Sequence, residues 1–304
     1  MNRTYVEVNG VPTKIDTWGR DLNETPKTES NELIVIIPGN PGVTGFYSHF
    51  AKSLYDRTKI PVWCVGHAGH NFDEETLKKM PEFTNNKDLY MLKGQVKHKL
   101  EFLKQYIPPD TKLYLIGHSV GSYMIVENLD DPDINAKVKK AFLLFPALEH
   151  MAETKNGQFL TTYVRPIVKL LLFLTWIYTI LPSFLSAFLL YIYMYIANVP
   201  GELHKDNINQ LLKPGVLKRV FYLAFEEMEQ MKERNNTILK KNSDKIKYYY
   251  AKDDGWVPLK FYESLKKDVP NADAQLTDIN HTFVFRHSLE VANVVGDWIK
   301  AEKE

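Results

Sequence analysis

Lys112-Leu113-Tyr114-Leu115-Ile116-Gly117-His118-Ser119-Val120-Gly121 is the stretch that decides the fold. Its first half is an apolar run of the kind needed by a strand covered on both faces. Its second half is Gly-x-Ser-x-Gly, and residues 121–129 continue with helical character. A serine at a sharp strand-to-helix turn is held clear of the packed sheet, where a base can take its proton. Glycines at both flanks of that turn let strand and helix approach closely. Ser119 is therefore the candidate nucleophile.

Working outward, residues 5–8 and 13–18 predict two antiparallel strands, and residues 33–37 an unbroken aliphatic strand ending in Gly39-Asn40-Pro41-Gly42. Residues 46–54 have helical spacing, 62–65 suit a short buried strand, and 88–106 predict one amphipathic helix closed by Pro108-Pro109. Strand 112–116, helix 121–129 and strand 138–145 extend the alternation, which predicts a mostly parallel sheet flanked by helices. After Pro146 the pattern turns helical and strongly apolar for roughly a hundred residues. Strand 245–250, helix 259–267, strand 274–277 and helix 289–301 then resume it. The expected architecture is an α/β-hydrolase fold, a single domain over residues 1–304 with a helical cap at 150–244.

This fold orders its triad as Ser, then Asp or Glu, then His. His281, in Asp278-Ile279-Asn280-His281-Thr282-Phe283, follows the last predicted strand and fits the base better than His287, which sits nearer the closing helix. The carboxylate that fixes the imidazole should end an upstream strand, as Asp254 does in Lys252-Asp253-Asp254-Gly255-Trp256-Val257-Pro258. Asp253 next door competes with it, and these residues alone leave the choice open. An oxyanion needs two backbone N–H donors, and Val120 and Asn40 have the right positions, whereas Pro41 has no N–H to give. His67-Ala68-Gly69-His70 lacks the further ligands of a metal site and is explained as a loop. His118 is expected to pack beside the turn. No metal or cofactor is called for.

Lysine plus arginine (38) balances aspartate plus glutamate (37), so no global field favours nucleic acid. Cys64 is the single cysteine, which excludes a disulfide within the chain and fits a reducing compartment. Residues 1–27 are polar, with no apolar run behind a basic start, so no secretory signal is expected and the Asn-x-Ser/Thr triplets at Asn2, Asn23, Asn235 and Asn280 are read as chance.

Residues 170–199 carry no charge at all, a length beyond the roughly 20 residues that cross a bilayer. Ser119 lies before this segment while Asp254 and His281 lie after it, so a single crossing would part residues that must meet. Pro182 divides the segment, and a hairpin resting in a droplet monolayer or an endoplasmic reticulum membrane satisfies both demands, with Arg165 and Lys169 reaching phosphates and Trp176 and the tyrosines at the interface. The competing expectation is a greasy lid over the active site. Residues 216–234 predict a further amphipathic helix belonging to the cap.

Pro38-Gly39-Asn40-Pro41-Gly42, Phe46-Tyr47, Gly117-His118-Ser119-Val120-Gly121, Asp254-Gly255-Trp256 with Pro258, His281 and the apolar insertion together resemble the lipid droplet-associated hydrolase family over nearly the whole chain. The resemblance implies a triad of Ser119, Asp254 and His281, and so prefers Asp254 over Asp253. It implies a place on the cytosolic face of lipid droplets and endoplasmic reticulum, and hydrolysis of lipid esters, of sterols or of glycerol. The alternative is a droplet-bound interaction or clustering protein with weak or vestigial chemistry. A third reading is a soluble esterase for small acyl substrates, its insertion serving as a lid.

Overall fold

The computed structural model describes residues 1–24, 31–197 and 199–302. Residues 25–27 of the polar N-terminal stretch and Asn198 of the uncharged segment lie outside it. Among the described residues, the strands β1 (Asn2–Val8), β2 (Val11–Trp18), β3 (Glu32–Ile37), β4 (Val62–Val65), β5 (Lys112–His118), β6 (Val138–Leu144), β7 (Ile246–Ala251) and β8 (Asp273–Thr277) make one sheet in the order β1-β2-β4-β3-β5-β6-β7-β8. β1, β2 and β4 pair antiparallel, and every pairing from β4 through β3 to β8 is parallel. This is the α/β-hydrolase arrangement expected from the sequence.

Alternation along the central strands divides the core into two layers. Leu33, Val35 and Ile37 join Leu103, Met124 and Ile125 on one face. Ile34 and Ile36 join Phe50, Leu54, Val291 and Val295 on the other. Every residue of β3 is buried, as a parallel strand covered by helices on both sides must be. Helix Ser48–Thr58 packs with Ser288–Ala301 on one layer, and helix Leu92–Tyr106 with Val120–Asn128 on the other.

The expected helix over 88–106 is two helices, Lys87–Tyr90 and Leu92–Tyr106, because Met91 is extended (φ −80°, ψ 174°) and breaks the ladder. Between β6 and β7 the chain is helical, as the sequence suggested, but the apolar part is divided differently. Its first helix starts well upstream of the uncharged stretch and runs Lys155–Ile180, 26 residues, with a π turn at Leu160–Val164 just ahead of Pro166. A wider turn there fits a proline that brings no N–H to the ladder. Pro182 separates this helix from Ser183–Ile196, and Gly201–Leu211 and Pro214–Gln230 follow.

Lys155–Ile180 is long and apolar enough to cross a membrane, and only 6% of its most apolar window is buried. The two apolar helices dock elsewhere rather than chiefly on each other: the part Arg165–Ile180 packs on Pro214–Gln230, and Ser183–Ile196 on Gly201–Leu211. Val168 seats the first in the core, and Leu190 and Met194 seat the second. Phe173, Trp176, Phe184, Phe188, Tyr191 and Tyr195 are among the side chains that face outward.

Candidate active site

Ser119 sits at the carboxyl edge of β5 with φ 53° and ψ −123°, a strained conformation for a residue with a side chain. The turn is clamped from several sides. The Ser119 N–H donates to the Leu144 carbonyl of β6 at 3.0 Å, and its own carbonyl accepts from Ser122 at 2.9 Å. Gly121 is required because a Cβ there would lie 2.2 Å from the Ile37 carbonyl oxygen.

Asp254 and His281 come together beside it. His281 Nδ1 donates to Asp254 Oδ2 at 2.8 Å, while Oδ1 of the same carboxylate accepts the N–H groups of Trp256 (2.7 Å) and Val257 (3.1 Å). Burial by itself would raise the Asp254 carboxyl; the hydrogen bond and charge of His281 and the two backbone donors outweigh it and hold the group below its ordinary value. Asp253 is exposed, and it is Asp254, not its neighbour, that the chain brings to His281. His287 caps the closing helix, where its Nδ1 faces Glu290. With Nδ1 bound, His281 has Nε2 free to serve the cavity that Ser119 also lines. Among the described residues no hydrogen bond yet joins Ser119 Oγ to that nitrogen, a looseness common in unliganded active sites.

The loop after β3 is pressed against Ser119: a Cβ on Gly39 would lie 2.9 Å from that of Ser119. Asn40 and Val120 thus flank Ser119, and Val120, as the first helical residue, has no acceptor for its N–H within the helix. The Asn40 side chain does separate work. Its Nδ2 donates to the Val220 carbonyl and to Glu227 Oε1, both at 3.0 Å, tying the loop to the cap helix Pro214–Gln230.

His118 is more than packing. The Gly39 N–H donates to the Tyr47 hydroxyl (2.8 Å), that hydroxyl to His118 Nδ1 (2.6 Å), and His118 Nε2 to the His281 carbonyl (3.0 Å). One chain of bonds therefore ties together the loop after β3, the turn at Ser119 and the loop of His281. Burial first, then the neighbouring His281, pushes His118 down to about 3, so it holds this chain as a neutral ring. His67 and His70 lie beneath the same loop. His70 Nδ1 donates to the Pro41 carbonyl at 2.6 Å, His67 packs under Gly42, and burial pushes His70 down to about 3.

The cavity over Ser119 has a volume of about 350 Å³ and is walled by apolar side chains of the cap such as Val220, Phe221, Ala224 and Met228. Glu227 is its one acidic residue, and burial pushes that carboxyl up to about 8. A larger cleft of about 710 Å³ around Lys104, Asp110 and Lys137 lies at the opposite end of β5 and contains none of these residues. Sequence reasoning gave neither Tyr47 nor Glu227 a role in the site. Glu227 left a trace, an acid on the inward stripe of an amphipathic helix with Leu223 and Met228. Tyr47 entered only as part of the resemblance, with no hint of its bond, since its partner is 71 residues away.

Arg165 pairs with Glu229 and lies 5.4 Å from the Phe225 ring centre, with its side chain still 47% exposed. Lys169 is exposed.

The sequence profile of the lipid-droplet associated hydrolase family matches residues 30–284. Named relatives span almost the whole chain. The lipid droplet-associated hydrolase of Drosophila melanogaster is 38% identical over 100% of this chain and 99% of its own. Those of Mus musculus (38%, 95% and 92%) and Homo sapiens (36%, 99% and 95%) are similar. Among solved structures, a laboratory-evolved potato epoxide hydrolase superposes with a TM-score of 0.66 at 14% identity, covering 99% of both chains. A thermophilic esterase from Thermogutta terrifontis does so at 0.64 and 12%, again covering 99% of both. These likenesses show the fold.

Proposed function

The chain belongs to the lipid droplet-associated hydrolase family, and on that premise we propose that it is a serine hydrolase cleaving lipid esters, of sterols or of glycerol, at the surface of a lipid droplet. The carrying observation is the His281–Asp254 pair, at 2.8 Å, set beside a strained serine in an apolar cavity. Ser119 Oγ attacks the acyl carbon as its proton passes to His281 Nε2, and Asp254 stabilises the imidazolium. The carbonyl oxygen, now negative, takes the N–H groups of Asn40 and Val120. Collapse breaks the ester bond, and His281 gives its proton to the departing alcohol oxygen. Water then attacks the acyl-serine, loses its proton to His281, and the fatty acid leaves as that proton returns to Ser119. No step needs a metal or cofactor.

The outward-facing apolar helices support surface attachment. Phe184, Tyr195 and Ile196 are 75%, 79% and 77% exposed, an arrangement costly in water and favourable in a monolayer over oil. Both ends of the pair stay with the folded domain, so a hairpin seat on the cytosolic face of a droplet or of the endoplasmic reticulum keeps the site intact. The same surface supports a second reading, a droplet-clustering protein of slow chemistry. Emulsified cholesteryl oleate and trioleoylglycerol, each presented to wild type and to Ser119→Ala, separate the two. Fatty acid release by wild type alone supports the enzyme; equal release, or none, with droplet binding kept supports clustering.

A further inference from the structure

Beneath the two apolar helices lies a second apolar cavity, of about 560 Å³. Leu174, Tyr193 and Ile208 are among its walls, contributed by three different helices, and no charged side chain lines it. Three more of its wall residues, Leu211, Leu217 and Phe221, also line the cavity that contains Ser119. The two spaces are thus neighbours divided only by apolar side chains. The outer one lies where the apolar helices dock on different partners instead of closing on each other. Its far wall belongs to the helices whose outward faces carry the exposed aromatic residues.

We propose that this groove holds a long hydrocarbon arm of the ester substrate and is the passage by which that arm leaves the lipid phase and draws the carbonyl to Ser119. The proposal rests on the hydrolase reading and specifies its substrate class, esters with a fatty acyl or comparably long apolar arm. The inner cavity of about 350 Å³ lies near the lower end of the roughly 300–1,000 Å³ that ligand sites span. A short acyl group fits there, whereas a fatty arm must extend past Leu217 and Phe221 into the groove. An arm moving between oil and groove is never transferred through water, so its hydrophobic cost of extraction stays small.

The test uses the full chain and p-nitrophenyl butyrate and palmitate in mixed micelles, comparing wild type, Ile208→Trp, which fills the groove from a residue outside the catalytic cavity, and Phe184→Arg, which alters only the outer surface. The expected result is at least a tenfold fall in the palmitate-to-butyrate ratio of kcat/KM for Ile208→Trp and less than a twofold change for Phe184→Arg. An unchanged ratio in Ile208→Trp, or equal falls in both variants, overturns the groove. A second measurement needs neither turnover nor a substitution in the groove. A palmitoyl ester bearing a terminal diazirine, photolysed with Ser119→Ala in phosphatidylcholine vesicles, should place adducts on the helices that wall the groove; adducts confined to the outer face overturn it. Absence of hydrolysis of both esters by wild type, with adducts in the groove, sinks the hydrolase reading and leaves the groove standing.

Discussion

β3 and the helix Ser183–Ile196 are both almost wholly apolar, yet the protein treats them in opposite ways. Ile34 and Ile36 are 0% exposed, whereas Phe184 and Tyr195 are three-quarters exposed or more. Composition does not decide between them; neighbours do. A central parallel strand receives a helix layer on each face, while the helix beyond Pro182 buries only Leu190 and Met194. The lesson is that one kind of residue stabilises a fold in the first place and, on the proposed function, addresses a lipid surface in the second.

The strongest way to break that contrast is one substitution made in both places. Ile36→Asp buries an unpaired charge and should cost more than about 4 kcal/mol, leaving no soluble folded protein. Phe184→Asp should move stability by less than about 0.5 kcal/mol in urea melts, yet lower partition onto droplets in flotation assays. Equal destabilisation by both would mean the apolar helices are core.

Acid should sharpen it next. Burial holds His67, His70, His98 and His118 below their ordinary value, with the folded state binding fewer protons than the unfolded. Their contribution to stability is fully present above about 6.5 and is lost as pH falls toward about 3. Glu227, raised from 4.5 to about 8, acts in the opposite sense between those values, as do Glu149 and Glu226, which burial also raises, while His204 adds a fifth lowered histidine to the four. The melting temperature should therefore drop steadily from pH 6.5 to 4. Droplet partition of the folded protein should stay flat from pH 8 to 6, since residues 183–196 carry no group that titrates there.

Smaller effects belong to the wall between the two regions. Glu227 faces Asn40, Glu226 on its own helix and the catalytic cavity with His118 and His281. Neutral, it holds Asn40 without setting a charge near the oxyanion; ionised, it opposes that charge. Wild-type kcat should fall about tenfold as pH rises through about 8, and Glu227→Gln should lose that fall. Tyr47→Phe removes the middle of the chain from Gly39 to His281 and should lower kcat by a few-fold with KM little changed, in line with a bond worth about 0.5–1.5 kcal/mol.

What the sequence made legible follows the range of the physics. The strands 33–37 and 112–116, the turn at Ser119 and the late His281 rest on patterns a few residues long. Asp254 and Asp253 could not be separated that way, because adjacent loop residues differ only in where the chain turns them. The Tyr47–His118 bond and the ties from Asn40 to Val220 and Glu227 span 71, 180 and 187 residues and leave almost no local mark. The helix Lys155–Ile180 was cut short in the reading because Arg165 and Lys169 interrupt its apolar pattern, and Arg165 then proved to be held by Glu229 and Phe225 within the cap.

The central claim is that Ser119 is an activated nucleophile. A fluorophosphonate probe incubated with the purified full chain, followed by peptide mass spectrometry, tests it most directly. The account predicts a single adduct on Ser119 in wild type, lost in Ser119→Ala and strongly slowed in His281→Ala and Asp254→Asn. An unlabelled wild type, or labelling that persists in Ser119→Ala, would contradict it.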